Sequence, residues 1–278
     1  LQAEFALRQR DFERGLALLA EQAVLLEDPA LARRALRLAE FVNDTDQAAM
    51  MAVRLVELDP GDGAAAAAAS GWLSRAGRPV DAVYYAQLAF EHGHPVNVAT
   101  NLGNYSALDE GSQIAIAEAI RAIAVQWPED DQAAIAACLL ARIEGDLKGA
   151  ESFIVPVLER SPENVRAVML WTQLMLDQDA DDPFRLLANT VSRYPENQEL
   201  RLQYARLLGS EGNYAGAQAQ FILLLERDPE NTELLSTAAL LDFELEYFDE
   251  ALSKFQQLIA LGAVSYTHLR AHETKRNR

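Results

Sequence analysis

The 278-residue chain is half hydrophobic, rich in Ala and Leu, and carries 14 Gly, 10 Pro, a single cysteine and a net charge of −18. A surface that acidic repels phosphate backbones, which excludes nucleic acid as an expected partner, and the lone Cys138 allows neither an intrachain disulfide nor a cysteine-rich metal site. No apolar run nears the ~20 residues that span a bilayer, and the Ala/Leu composition favours helices.

In chain order, Leu1 already lies inside an amphipathic pattern, so the natural protein is expected to begin earlier, with any signal peptide or lipid-attachment cysteine lying upstream. Prolines then punctuate the chain at Pro60, Pro128, Pro162, Pro195 and Pro229, spaced 68, 34, 33 and 34 residues apart, and His94-Pro95 fills the midpoint of the first interval. The spacing predicts helix–turn–helix units starting near residues 1, 29, 63, 97, 131, 164, 198 and 232. Glycine is expected to end the first helix of a unit at Gly77, Gly111, Gly145 and Gly212, where a left-handed cap favours a residue without Cβ. An alanine recurs early in the second helix at Ala48, Ala82, Ala150, Ala217 and Ala251, replaced by Ile116 and Pro183 in two units. Pro183 reads as the first residue of its helix, with Asp182 as N-cap. The run AAAAAA at 64–69 leaves one first helix almost without bulky side chains and predicts close packing there.

The last two full units, QELRLQYARLLGSEGNYAGAQAQFILLLERDP and TELLSTAALLDFELEYFDEALSKFQQLIALG, align at a separation of 34. Ala205 matches Ala239, Tyr214 matches Phe248, Ala217 matches Ala251 and Phe221 matches Phe255. This pattern resembles the tetratricopeptide repeat. The resemblance implies an all-α, right-handed superhelical solenoid of about eight antiparallel helix pairs over residues 1–262, with the aromatics filling space between hairpins. The opening repeats, above all DPALARRALRLAEF, are similar to a proteobacterial family of periplasmic tetratricopeptide lipoproteins that includes adaptors of a carboxyl-terminal processing protease. That resemblance implies an envelope protease as partner and the periplasmic side of the outer membrane as location, with the cytoplasm as the alternative.

The register stops at Gly262. VSYTHLRAHET beyond it matches a translation of the transposon-end adapter used in sequencing-library preparation. Residues 263–278 are therefore read as a non-native tail, His268 and His272 as irrelevant to any site, and the natural sequence as continuing differently.

Several segments invite a chemical reading. DQDADD at 177–182 begins like a calcium loop but has Asp182 at its sixth position and Ala188 at its twelfth, so it reads as an acidic turn. HGH at 92–94 offers two imidazoles at a repeat junction, which is too few for a metal site. Cys138 shares the repeat position of Ala205 and Ala239, where a small inert thiol is expected. No nucleophile-elbow, zinc-protease, phosphate-loop or dinucleotide motif occurs, so neither catalysis nor a cofactor is expected from residues 1–263. What remains is a groove lined by the first helix of each pair. Its expected residues are Arg33, Arg37, Arg75, Asn101, Tyr105, Gln132, Arg142 and Arg206. The arginines would either clamp carboxylates of an extended peptide or form intramolecular ion pairs, and Tyr105 would supply an aromatic anchor. The function expected is a scaffold or adaptor for proteins or extended peptides. The alternative is the substrate-selecting arm of an enzyme, such as a glycosyltransferase, whose catalytic domain lies beyond residue 263.

Overall fold

In a computed structural model that describes residues 2–262, the chain is all α-helical, with no strand among those residues. The helices are α1 (Gln2–Arg8), α2 (Phe12–Leu25), α3 (Pro29–Val42), α4 (Thr45–Leu58), α5 (Gly63–Arg75), α6 (Pro79–Glu91), α7 (Glu110–Gln126), α8 (Asp131–Ile143), α9 (Leu147–Arg160), α10 (Val165–Asp177), α11 (Arg185–Arg193), α12 (Gln198–Ser210), α13 (Tyr214–Leu225), α14 (Thr232–Glu244) and α15 (Phe248–Ala260). The chain forms two compact units that divide between Arg160 and Ser161. The first pairs α1 with α2, α3 with α4, α5 with α6 and α8 with α9; the second pairs α10 with α11, α12 with α13 and α14 with α15. The non-native tail proposed for 263–278, with His268 and His272, lies outside the described residues.

The repeat register is written into the helix ends. Two residues after a punctuating proline comes an Asp or Asn whose side chain accepts a backbone N–H of the first helical turn: Asp62 from Ala65, Asp130 from Ala133, Asn164 from Ala167, Asn197 from Leu200 and Asn231 from Leu234. Each cap satisfies an otherwise unpaired donor and is worth about 1 kcal/mol. At the other end of these five helices, and of α1 and α3, the chain turns through the left-handed region at Arg10, Asn43, Gly77, Gly145, Asp179, Gly212 and Glu246. Only three of these are glycine; elsewhere the turn is adopted despite its cost to a residue with a Cβ.

Small residues let the paired helices close. Ala48, Ala82, Ala150 and Ala217 are fully buried, as are Ala205, Ala239 and Cys138 in the partner helices. The alanine helix α5 packs closely, as its composition predicts: Ala66, Ala69 and Leu73 are fully buried. A Cβ on Gly63, at its start, would lie 2.6 Å from His94 Cδ2 and 2.8 Å from His92 Cβ. The HGH segment is thus a tight turn laid on α5, and Gly93 takes φ 75° to make it.

Three expectations are corrected. The first helix of the fourth unit is absent; two 3-10 turns, Val98–Leu102 and Tyr105–Ala107, stand in its place. Asn97 sits where the capping Asx belongs but makes no side-chain cap, and its Oδ1 is buried without a partner among the described residues. The missing cap, Gly103 and Asn104 all disfavour α-helical hydrogen bonding in this segment. Gly111 accordingly ends no helix and lies in the first turn of α7. Second, Pro183 does not open a helix: α11 starts at Arg185 behind Phe184, with no side-chain cap, and Asp182 gives only its carbonyl to Arg185 N at 3.4 Å. Third, Tyr214 and Phe248 do not fill inter-hairpin space; both are substantially exposed, and Phe248 rests edge-on against Phe243 at 5.6 Å. Phe221, by contrast, is buried as expected.

Candidate functional site

The arginines expected to line the groove are largely engaged by their own chain. Arg33 donates to Asp62 at 2.8 Å and Arg206 to Glu233 at 2.6 Å, each reaching the start of the next hairpin. Arg142 and Gln132 also have interaction partners within the chain. Arg75 lies over the Trp72 ring at 4.6 Å, and Trp72 Nε1 donates to Glu40 at 3.2 Å. Arg37 is exposed on α3 and makes no ion pair among the described residues. Asn101 is buried in the first 3-10 turn, its amide donating to the Val98 carbonyl at 3.2 Å while its Oδ1 has no partner among the described residues.

Tyr105 is the predicted residue around which a concave site forms. Because the fourth unit lacks its first helix, the second 3-10 turn lies against α7. Gln113 holds it there, donating to the carbonyls of Leu108 at 2.9 Å and Tyr105 at 3.2 Å. The Tyr105 ring is buried, and its hydroxyl sits 3.2 Å from the Gln113 carbonyl and 3.3 Å from Glu144 Oε1, both acceptors. Glu144, at the end of α8, is ion-paired with Arg121 of α7. Burial, and then the Glu144 carboxylate, raise the Tyr105 phenol above its usual pKa, so it stays a neutral donor.

These contacts border an open cleft of about 500 Å³. Its walls are Tyr105 and Ser106 from the 3-10 turn, Glu110, Gln113, Ile114, Ala117, Glu118 and Arg121 from α7, and Ile143 and Glu144 from α8. Ile114 is 51% and Ile143 38% exposed. The cleft therefore lies within the first unit, where the turn before α7 and the end of α8 come together. The aromatic anchor expected in Tyr105 is a fixed wall of this cleft. Sequence reasoning missed the α7 residues, although a signal exists. Glu110, Ile114 and Glu118 stand four apart, one face of a helix that sets an isoleucine between two carboxylates.

The other chemically suggestive groups have structural surroundings. Burial pushes the Cys138 thiol up to about 12, which removes its thiolate character. DQDADD forms the turn after α10, with Asp179 in the left-handed region. Among the described residues no cluster of three His, Cys, Asp or Glu side chains could hold a metal, and no helix is long and apolar enough to cross a membrane.

The class is defined by the helices themselves: hairpins in a 34-residue register, with buried alanines at the crossing points and left-handed turns between partners. That is an array of antiparallel helix hairpins, the arrangement that the tetratricopeptide resemblance implies. No family model and no curated protein matches the chain. Among solved structures it is similar to a tetratricopeptide repeat protein from Parabacteroides merdae, at 17% identity and TM-score 0.48 over 84% of this chain and 93% of that one. It is similar also to pilF of Pseudomonas aeruginosa, at 17% identity and TM-score 0.44 over 88% and 99%. Yeast Tom70 is similar at 16% identity and TM-score 0.38; 92% of this chain is covered, but only 66% of the Tom70 chain.

Proposed function

We propose that the chain is a binding scaffold that holds a partner protein on its helix hairpins, with the cleft between Tyr105, α7 and α8 as the principal contact. The observation that carries this reading is the cleft itself. It is formed where the repeat is broken, its walls are fixed by Gln113 and by the Arg121–Glu144 pair, and it leaves two isoleucines open to solvent. Such a surface concentrates a partner without chemistry of its own. The arginine face of α3 and α5 is a second, weaker contact on this reading, supported by Arg37, which has no ion pair among the described residues, and by Arg75, whose guanidinium lies over the Trp72 ring. The finer reading is that the partner is a substrate of an envelope protease at the periplasmic face of the outer membrane. It is supported by the resemblance of residues 28–41.

Panning random displayed peptides against the immobilised chain tests the scaffold. Sequences selected by the cleft lose about tenfold in affinity for the Ile114→Asp variant, a difference of about 1.4 kcal/mol. Selected sequences that bind both forms equally would move the contact away from the cleft.

A further inference from the structure

The geometry points to a defined occupant for the cleft: an extended segment of a partner protein with the pattern cation–x–aliphatic–x–cation. This inference rests on the cleft being the contact site proposed above.

Charge sets the first requirement. The cleft holds Glu110, Glu118 and Glu144 against the single cation Arg121. Arg121 is already committed to Glu144, whereas Glu110 and Glu118 make no ion pair among the described residues. A segment carrying carboxylates is repelled there, and one carrying lysine or arginine is attracted. Between the two free carboxylates stands Ile114, with Ile143 on the facing wall, both partly exposed. An aliphatic side chain set between them removes apolar surface of both from water.

Spacing sets the second requirement. Glu110, Ile114 and Glu118 follow one another at four-residue steps on α7. Four helical residues rise about 6 Å, and two residues of extended chain advance about 6.6 Å. An extended segment beside α7 therefore brings every second side chain opposite this row, while the intervening side chains point away. The order cation, aliphatic, cation at positions one, three and five follows. A cleft of about 500 Å³ accommodates a few side chains of such a segment and excludes a folded domain.

The test is fluorescence anisotropy with the full chain and three labelled peptides. One carries Lys-Ala-Leu-Ala-Lys, one the same residues reordered as Lys-Lys-Ala-Ala-Leu, and one Glu-Ala-Leu-Ala-Glu, each flanked by Gly-Ser. The first binds at least about tenfold tighter than either other, and the preference falls as salt rises. It is lost in the exposed-site variants Glu110→Gln/Glu118→Gln and Ile114→Asp, and kept in Val125→Lys, one turn beyond the cleft on the same helix. Far-UV circular dichroism confirms that each variant is folded. Equal binding of the ordered and reordered peptides overturns the spacing argument, and a preference for the glutamate peptide overturns the charge argument. Hydrogen exchange on each mixture separates this failure from failure of the cleft itself. Protection of residues 105–121 by a peptide of another pattern overturns the stated pattern but leaves the cleft as a site. Protection by no peptide overturns both.

Discussion

Lys254 of α15 donates to Oδ2 of Asp242 on α14 at 2.5 Å, and the carboxylate it meets is fully buried. Gln218 of α13 donates to the other oxygen at 2.6 Å, so three consecutive helices of the second unit converge on one charge. Lys254→Met leaves that carboxylate without a cation and is expected to cost about 2–4 kcal/mol, because an uncompensated buried charge is penalised more than the intact pair stabilises. The double variant Lys254→Met/Asp242→Leu recovers most of the loss. Urea unfolding followed by circular dichroism reads both. Equal stability of Lys254→Met and the native chain would show that the pair contributes nothing.

Asp62 caps α5 and binds Arg33, tying one hairpin to the next. Its hydrogen bond from Ala65 N, followed by that from Arg33, holds its carboxyl below the usual range. A depressed folded-state pKa contributes stability that is present above the unfolded value and is lost as pH falls through the folded one. Asp62→Asn keeps the cap but not the charge. It is expected to be slightly less stable than the native chain at pH 7 and to converge with it in acid below the carboxylate range. Thermal melts across that range check the convergence.

Two glycines of α5 should respond oppositely to alanine. Gly63→Ala drives a methyl into His92 and His94 and is expected to cost about 1–3 kcal/mol by overpacking. Gly71, mid-helix, has nothing within 4 Å of its missing Cβ, so Gly71→Ala should gain about 0.5–1 kcal/mol from helix propensity alone. The midpoints of denaturant unfolding give both signs.

Cys138 should be silent in the folded chain. Its buried thiol, raised to about 12, is expected not to react with a chromogenic disulfide reagent at pH 8 until the protein is unfolded in guanidinium. Rapid reaction of the native chain would contradict its placement.

Much of the fold was legible in the 34-residue proline and alanine register, because caps, left-handed turns and small crossing residues are local demands that recur with the repeat. The breaks were less legible. Asn97 occupies the capping position as Asn164 and Asn197 do, yet only those two cap. Gly111 is the same residue as Gly77 and Gly145 at the same register, but without a preceding helix there is nothing for it to end. Ile116, fully buried where other units place alanine, was the visible sign that its unit packs differently. The groove arginines were legible as charges and illegible as partners, since Asp62 and Glu233 lie in neighbouring hairpins and only the stacking brings them within reach. The cleft depends on the broken helix, and so could not be placed before it.

The most direct test of the account is hydrogen exchange of the full chain with and without a peptide selected by panning. Exchange is expected to slow in residues 105–121 and around Ile143, with α3 and α5 changed less. Protection confined to α3 and α5, with residues 105–121 unaffected, would contradict it.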